Sequence, residues 1–467
     1  MKLFIIIVAS LIAIANSQEE AKLIRLPIIQ KRTQHELYKR DEFNTNVYND
    51  NGSIYLVRIE VGTPPQTFEL ALDTGSADLW VPGSKCPSSF CPFAKFVESN
   101  SSTFKSLGQN FNITYGVGSA SGLYAQDIIT IGGATIQNQQ FGIVNTTKNI
   151  LTQLQTLTGE SYTPTAGSTD NLTTYSQEHR MNGIFGLAYP LITASTQKEY
   201  MPFFFSLKEQ QKISQHVFSI FLNSSDATGN AGQVIFGGID TTKYKGALIY
   251  VPVSKTTKQG TQADYGYWQT YGQGLGVSSS GAKKLSLTFE STTNFVFDTG
   301  TTLTYLPTQV IEPLFEAAFG NHNLAYDANN NYFQVNCSLA QENITVQFML
   351  STSNQVSDNP VVLNVPISDL IFPLDANSMA TASICMVGIV PTSKSIFLGQ
   401  SVLRSFFQVY DIDQNRIGVA SAVGSDSSVT SNSSNITTDT KVISSSTHVS
   451  CTHAFFIFSI LLIILTL

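Results

Sequence analysis

Charge is scarce in this chain of 467 residues: Asp, Glu, Lys and Arg together make up 13%, about half the usual share. The 33 acidic residues outnumber the 26 basic ones, and no basic patch with interleaved aromatics occurs, which argues against nucleic acid as a partner. Five cysteines are too few for a disulfide scaffold and show no zinc-ligand spacing. The six histidines form no HExxH pair, and no G-x-S-x-G elbow is present, so metalloprotease and serine-hydrolase chemistry lack their usual sequence marks. No cofactor and no metal are expected. Long apolar runs occur at the two ends, residues 3–15 and 454–467. The core must therefore come from dispersed apolar residues, which at 42% are plentiful.

What is present is a repeated tripeptide. Asp73-Thr74-Gly75 and Asp298-Thr299-Gly300 each close a hydrophobic run, FELALDTGSADLWVP and NFVFDTGTTLTYLP. In isolation D-T-G is an ordinary turn sequence; two copies in matching contexts suggest two halves sharing one site. An amide is a poor electrophile, and its hydrolysis needs a base for the water and an acid for the departing groups. Two carboxyls held close together supply both, because like charges so near cannot both ionise. Other stretches recur in order: Ile184-Phe185-Gly186 and Phe397-Leu398-Gly399 as paired hydrophobic-hydrophobic-Gly segments, ITYGVGSASG, VGTPPQTF, VIFGGID and GYWQ. On these motifs the chain resembles the pepsin-like aspartic proteases, of the secreted or glycosylphosphatidylinositol-anchored yapsin-like or fungal type, from the propeptide to about residue 423.

The resemblance implies an all-β, bilobal pepsin-like fold with the active-site cleft between two β-rich lobes. It implies catalysis by Asp73 and Asp298, loops braced by Thr74 and Thr299, and hydroxyl support from Ser76 and Thr301. Gly75 and Gly300 allow tight turns close to the carboxylates. Tyr115, Gly116, Val117 and Gly118 correspond to the flap hairpin, and Trp80 to the tryptophan that bonds the flap tyrosine. The alternatives are a packed strand tyrosine for Tyr115 and plain core packing for Trp80. Local spacing and the resemblance pair Cys86 with Cys91 and Cys337 with Cys385, contributing roughly 2 and roughly 4 kcal/mol on the chain-entropy view. Cys451 is left over.

Along the chain, an apolar stretch behind Lys2 with small residues at Ala13, Ala15 and Ser17 reads as a signal peptide over 1–17. A basic segment over 18–40 resembles a propeptide, its KLIRLPI an opening strand, ending at Lys39-Arg40. The N-terminal lobe is expected over 41–238 and the C-terminal lobe over 239–423, both made of short Val-, Ile-, Phe-, Tyr- and Thr-rich strands. Helices are expected in SLKEQQKISQ and in TQVIEPLFEAAFG, the latter capped by Thr308. Residues 146–182 form a longer polar connection than the family has. Residues 424–453 are a Ser/Thr-rich stalk, and 454–467 an apolar tail too short to span a bilayer, matching a signal for a glycosylphosphatidylinositol anchor attached at Ser444. Ten N-x-S/T sequons, at Asn51, Asn100, Asn112, Asn145, Asn171, Asn223, Asn336, Asn343, Asn432 and Asn435, fit a glycosylated surface. The expected function is an aspartic endopeptidase acting at acidic pH on extended polypeptides with apolar or aromatic residues around the cut. Expected partners are polypeptide substrates and, through the anchor, the membrane, with the protein itself a monomer. The competing reading is a catalytically silent pepsin-fold protein serving in binding or in a cell-surface structure. Location follows: the cell surface, or alternatively the medium or an acidic vacuole.

Overall fold

The computed structural model describes residues 24–31, 54–116, 118–151, 181–195, 200–223, 230–257, 262–320, 324–328, 331–376, 379–393 and 395–431. Strands dominate, in the expected all-β, bilobal pepsin-like arrangement. Among the described residues a 13-stranded sheet spans both halves, a second sheet has eight strands and a third has four. In the large sheet the order runs from Tyr244–Pro252 through Arg416–Ala422, Phe406–Asp411, Val217–Leu222, Asn230–Phe236, Ile24–Lys31, Ile54–Val61 and Gln66–Asp73. It continues through Ile184–Gly186, Leu79–Pro82, Ala134–Lys148 and Ser119–Ile131 to Lys105–Thr114 at its edge. The two halves meet where Val217–Leu222 pairs antiparallel with Phe406–Asp411, with Phe218 opposite Tyr410.

Ile24–Lys31 lies inside this sheet, between Asn230–Phe236 and Ile54–Val61. Its alternation turns Ile24, Leu26 and Ile28 into the core, and Arg25 pairs with Asp240 at 2.8 Å. Most of the binding of this segment is thus apolar burial and strand pairing; residues 32–53, where the expected cleavage point lies, are outside the described residues. In the eight-stranded sheet Ser428–Ser431, a strand that lies beyond residue 423, pairs with Val361–Pro366.

Helix boundaries differ from the sequence reading. The first helix occupies Phe203–Glu209, not 206–215, because Pro202 starts it and Phe203, Phe204 and Leu207 are the residues with a core to bury into. In Thr308–Phe319 the threonine is the first helical residue and makes no side-chain cap; Pro307 holds the cap position. The connection at 146–182 is described only to 151 and from 181.

Phe204 and Phe205 pack against His216, ring centroids 4.9 and 5.1 Å away. Its Nε2 is buried without a hydrogen-bond partner among the described residues. Burial lowers its pKa to about 4; the Asp413 carboxylate, 3.7 Å from Nδ1, and Asp411 favour the cation, Lys208 opposes it, and burial prevails. A depressed pKa contributes stability that is whole above the unfolded value and is lost as pH falls. We expect the urea midpoint of the wild type to drop relative to a His216→Gln variant between pH 6.5 and about 4. Parallel curves for the two proteins would show that His216 stays uncoupled from folding.

Candidate active site

Each D-T-G sits at the end of a strand that has only one place to go. Gln66–Asp73 runs parallel to Ile184–Gly186, with Leu72 opposite Phe185 and Asp73 opposite Gly186. On the far side of that short strand Leu79–Pro82 returns antiparallel, Trp80 opposite Ile184. The second half repeats the plan: Val296 lies opposite Phe397 and Phe297 opposite Leu398, while Tyr305 meets Phe397 from the other side. The segments are wholly apolar and flanked on both sides, which is why they read as unbroken hydrophobic runs. Glycine ends each for lack of room. A Cβ on Gly186 would lie 2.6 Å from the Asp78 nitrogen, and one on Gly399 2.2 Å from the Leu303 carbonyl.

This geometry brings the two loops together. The Thr74 amide donates to Thr299 Oγ1 (3.1 Å) and the Thr299 amide to Thr74 Oγ1 (2.9 Å). Each hydroxyl then donates across the interface, Thr74 Oγ1 to the Phe297 carbonyl (2.7 Å) and Thr299 Oγ1 to the Leu72 carbonyl (2.8 Å). Both threonines are fully buried. Asp73 accepts from the Gly75 amide (2.8 Å) and the Ser76 hydroxyl (2.5 Å), and Asp298 from the Gly300 amide (2.8 Å) and the Thr301 hydroxyl (2.6 Å). A Cβ on Gly75 would lie 2.5 Å from Asp298 Cγ, and one on Gly300 2.4 Å from Asp73 Oδ1. Each glycine therefore leaves the space in which the opposite carboxyl sits.

Both aspartates are 6% exposed. Burial raises the pKa of both carboxyls, that of Asp73 to about 8; the Asp298 charge raises Asp73 further, while the supporting hydroxyls and amides pull down. The two carboxyls lie within hydrogen-bonding reach of each other, so ionisation of one is coupled to that of the other. The macroscopic pKa values belong to the pair.

Trp80 is fully buried, and its Nε1 donates to Tyr115 Oη at 2.8 Å. Tyr115 ends the first strand of the hairpin formed by Lys105–Thr114 and Ser119–Ile131, closed by its amide donating to the Gly118 carbonyl (2.8 Å). Burial and then the Asp73 charge raise the Tyr115 phenol, keeping it a neutral hydroxyl. Gly116 is exposed at the turn, and a Cβ on Gly118 would run into the Lys148 carbonyl. Val117 lies outside the described residues. The disulfides Cys86–Cys91 and Cys337–Cys385 are both formed.

Three polar side chains beside the site escaped the sequence reading. Gln400 Nε2 donates to the Thr299 carbonyl at 2.5 Å, holding the second loop from behind. Fully buried Asp78 accepts from the Tyr124 hydroxyl and the Ala194 amide, both at 2.7 Å, tying the hairpin to the wall beside it. Tyr267 feels both site carboxylates, which with burial raise its pKa. Gln400 directly follows the second hydrophobic-hydrophobic-Gly segment and Asp78 lies two residues before Trp80, so position was the available signal.

Thr299→Val keeps the shape but leaves the Thr74 amide and the Leu72 carbonyl buried without partners, each costing roughly 1–3 kcal/mol. We expect a lower urea midpoint and a lower kcat, with Thr299→Ser restoring most of both. Unchanged kcat in the valine variant would mean that the brace does not position the carboxyls.

Residues 54–422 match the family profile described as eukaryotic aspartyl protease. Mucorpepsin of Rhizomucor pusillus is 33% identical over 372 residues, 78% of this chain and 78% of its own. Mucorpepsin of Rhizomucor miehei is 32% identical over 372 residues, 78% of this chain and 77% of its own. Gastricsin of Macaca fuscata fuscata is 30% identical over 384 residues, 79% of this chain and 84% of its own. With two D-T-G loops braced at one buried site and this extent of similarity, the chain belongs to the eukaryotic aspartyl protease family and is an aspartic-type endopeptidase.

Proposed function

We propose that the protein hydrolyses peptide bonds in extended polypeptides at acidic pH with a water activated by Asp73 and Asp298. The observation that supports this most is the pair of buried, coupled carboxyls held within loops that brace each other through buried hydrogen bonds. The ionised carboxylate of the pair takes a proton from the water as the water oxygen bonds to the scissile carbonyl carbon; the protonated partner gives its proton to the carbonyl oxygen. Collapse of the tetrahedral intermediate breaks the C–N bond: the proton taken from water goes to the departing amine, and one hydroxyl of the intermediate returns its proton to the carboxylate that had protonated the carbonyl, restoring the singly protonated pair. Ser76 and Thr301 hold the carboxyls in place, Thr74, Gly75, Thr299 and Gly300 preserve their approach, and Tyr115, oriented by Trp80, covers them. The valine at position 117 has no charge with which to receive a lysine, and desolvating an unpaired ammonium is costly, which supports a preference for apolar and aromatic residues around the cut.

In the cell, the reading begins with a signal peptide over 1–17 and a propeptide over 18–40 that is cut after Arg40. The stalk and the tail over 454–467 would place the enzyme at the cell surface through a glycosylphosphatidylinositol anchor; residues beyond 431 lie outside the described residues. Among the described residues no helix is long and apolar enough to cross a membrane.

Asp73→Asn and Asp298→Asn should each abolish turnover while leaving the unfolding transition cooperative, because neither pair can hold one proton between two carboxyls. Wild-type turnover should be highest in acid and fall as rising pH removes the shared proton. Substantial activity in either purified variant would sink the mechanism. Location is tested separately: a phospholipase that cuts glycosylphosphatidylinositol anchors should release the protease from intact cells. Retention on the cells, with tail peptides from 454–467 still in the mature protein, would contradict the anchor.

A further inference from the structure

The hairpin strand that carries Tyr115 has an unusual outer side. Among the described residues Lys105–Thr114 is the terminal strand of the 13-stranded sheet, paired on one side only, with Ser119–Ile131. Phe111 is fully buried, and Ile113 and Tyr115 pack against the same cluster, so the odd-numbered side chains face the lobe and the active site. Asn112 and Thr114 are exposed on the opposite face. The Asn112 carboxamide makes no hydrogen bond among the described residues, whereas Asn336 Oδ1 is occupied by the Ser338 amide (2.9 Å). Asn145 differs too: it is half-buried, and the threonine of its sequon, Thr147, is buried with its hydroxyl on the Phe90 carbonyl (2.7 Å). Asn112-Ile113-Thr114 therefore presents both recognition side chains outward on a regular strand.

An exposed edge strand is a template for pairing, and proteins usually blunt it with charge, proline or a bulge. Here the ten residues KSLGQNFNIT hold one charge, Lys105, at the far end, no proline, and a bulge between Ser106 and Asn110 that leaves 111–114 regular. The regular part lies nearest the cleft of an enzyme that takes extended chains, including those of its neighbours.

We propose that Asn112 carries an N-linked oligosaccharide that shields this edge of the flap from strand pairing and from cleavage by other copies of the protease. The sugar leaves from the face opposite Tyr115, so it covers the edge without entering the cleft. The proposal rests on the reading that the chain enters the secretory pathway.

The test uses the full chain expressed through the secretory pathway of a eukaryotic host. Peptide N-glycosidase treatment in heavy-oxygen water, followed by peptide mapping, should show Asn112 converted to labelled aspartate. Asn112→Gln and Thr114→Ala each remove the sequon by a different side chain. Both should keep wild-type kcat/KM on a short peptide, yet lose activity several-fold faster on acid incubation, with new cuts within 105–131. An unmodified Asn112 beside a converted Asn343 would overturn the proposal and leave the secretory reading standing. Conversion at no sequon would overturn both. Occupied Asn112 with both variants as long-lived as wild type would overturn the shielding role.

Discussion

Two carboxyl groups buried within hydrogen-bonding reach of each other repel once both ionise, and much of the structure serves to hold Asp73 and Asp298 in that contact. The holding is done by uncharged groups. Four hydrogen bonds among Thr74, Thr299, Leu72 and Phe297 tie the loops to each other, all buried, so that water cannot compete for them. Basic side chains beside the pair would draw both protons off; amides and hydroxyls support the ionised member while leaving one proton in place.

The brace requires that both loops arrive at the same depth, and the sheet arranges this. Each aspartate follows a strand laid parallel to a three-residue apolar segment, flanked on its other side by the returning chain. Beneath the loops an aromatic group joins the halves: Phe218 stacks on Tyr410 (4.5 Å), Trp268 lies 4.9 Å from Tyr410 and 4.6 Å from Tyr189. Trp268 Nε1 donates to the Leu187 carbonyl (3.0 Å), and the Leu187 amide to the Asp73 carbonyl (2.8 Å), linking that group to the first loop. Displacement of either lobe would strain the threonine bonds before it reached the carboxyls.

The carboxyl pair was legible because its residues are local in sequence: an apolar strand, then D-T-G, then a hydroxyl, twice. The flap was legible through Tyr115 and its turn glycines, and the link to Trp80 came from family resemblance, since no local rule joins residues 35 apart. Gln400 and Asp78 were not legible because their roles depend on which backbone groups the fold brings against them. The environment of His216 was hidden for the same reason, being made by Phe204 and Phe205 from a preceding helix. Thr308 shows the converse failure: threonine before an apolar run resembles a cap, but Pro307 already has the extended backbone that a cap residue needs, and the helix starts one position earlier than a cap at Thr308 requires.

The central claim is that Asp73 and Asp298 hold one proton between them in the folded protein. Carbon NMR of the full chain labelled at aspartate carboxyls, followed across pH and assigned with the two asparagine variants, reads this directly. The account predicts two resonances that titrate together, one proton staying bound well above the ordinary aspartate value near 3.9. Independent titration of both carboxyls in that ordinary range would contradict it.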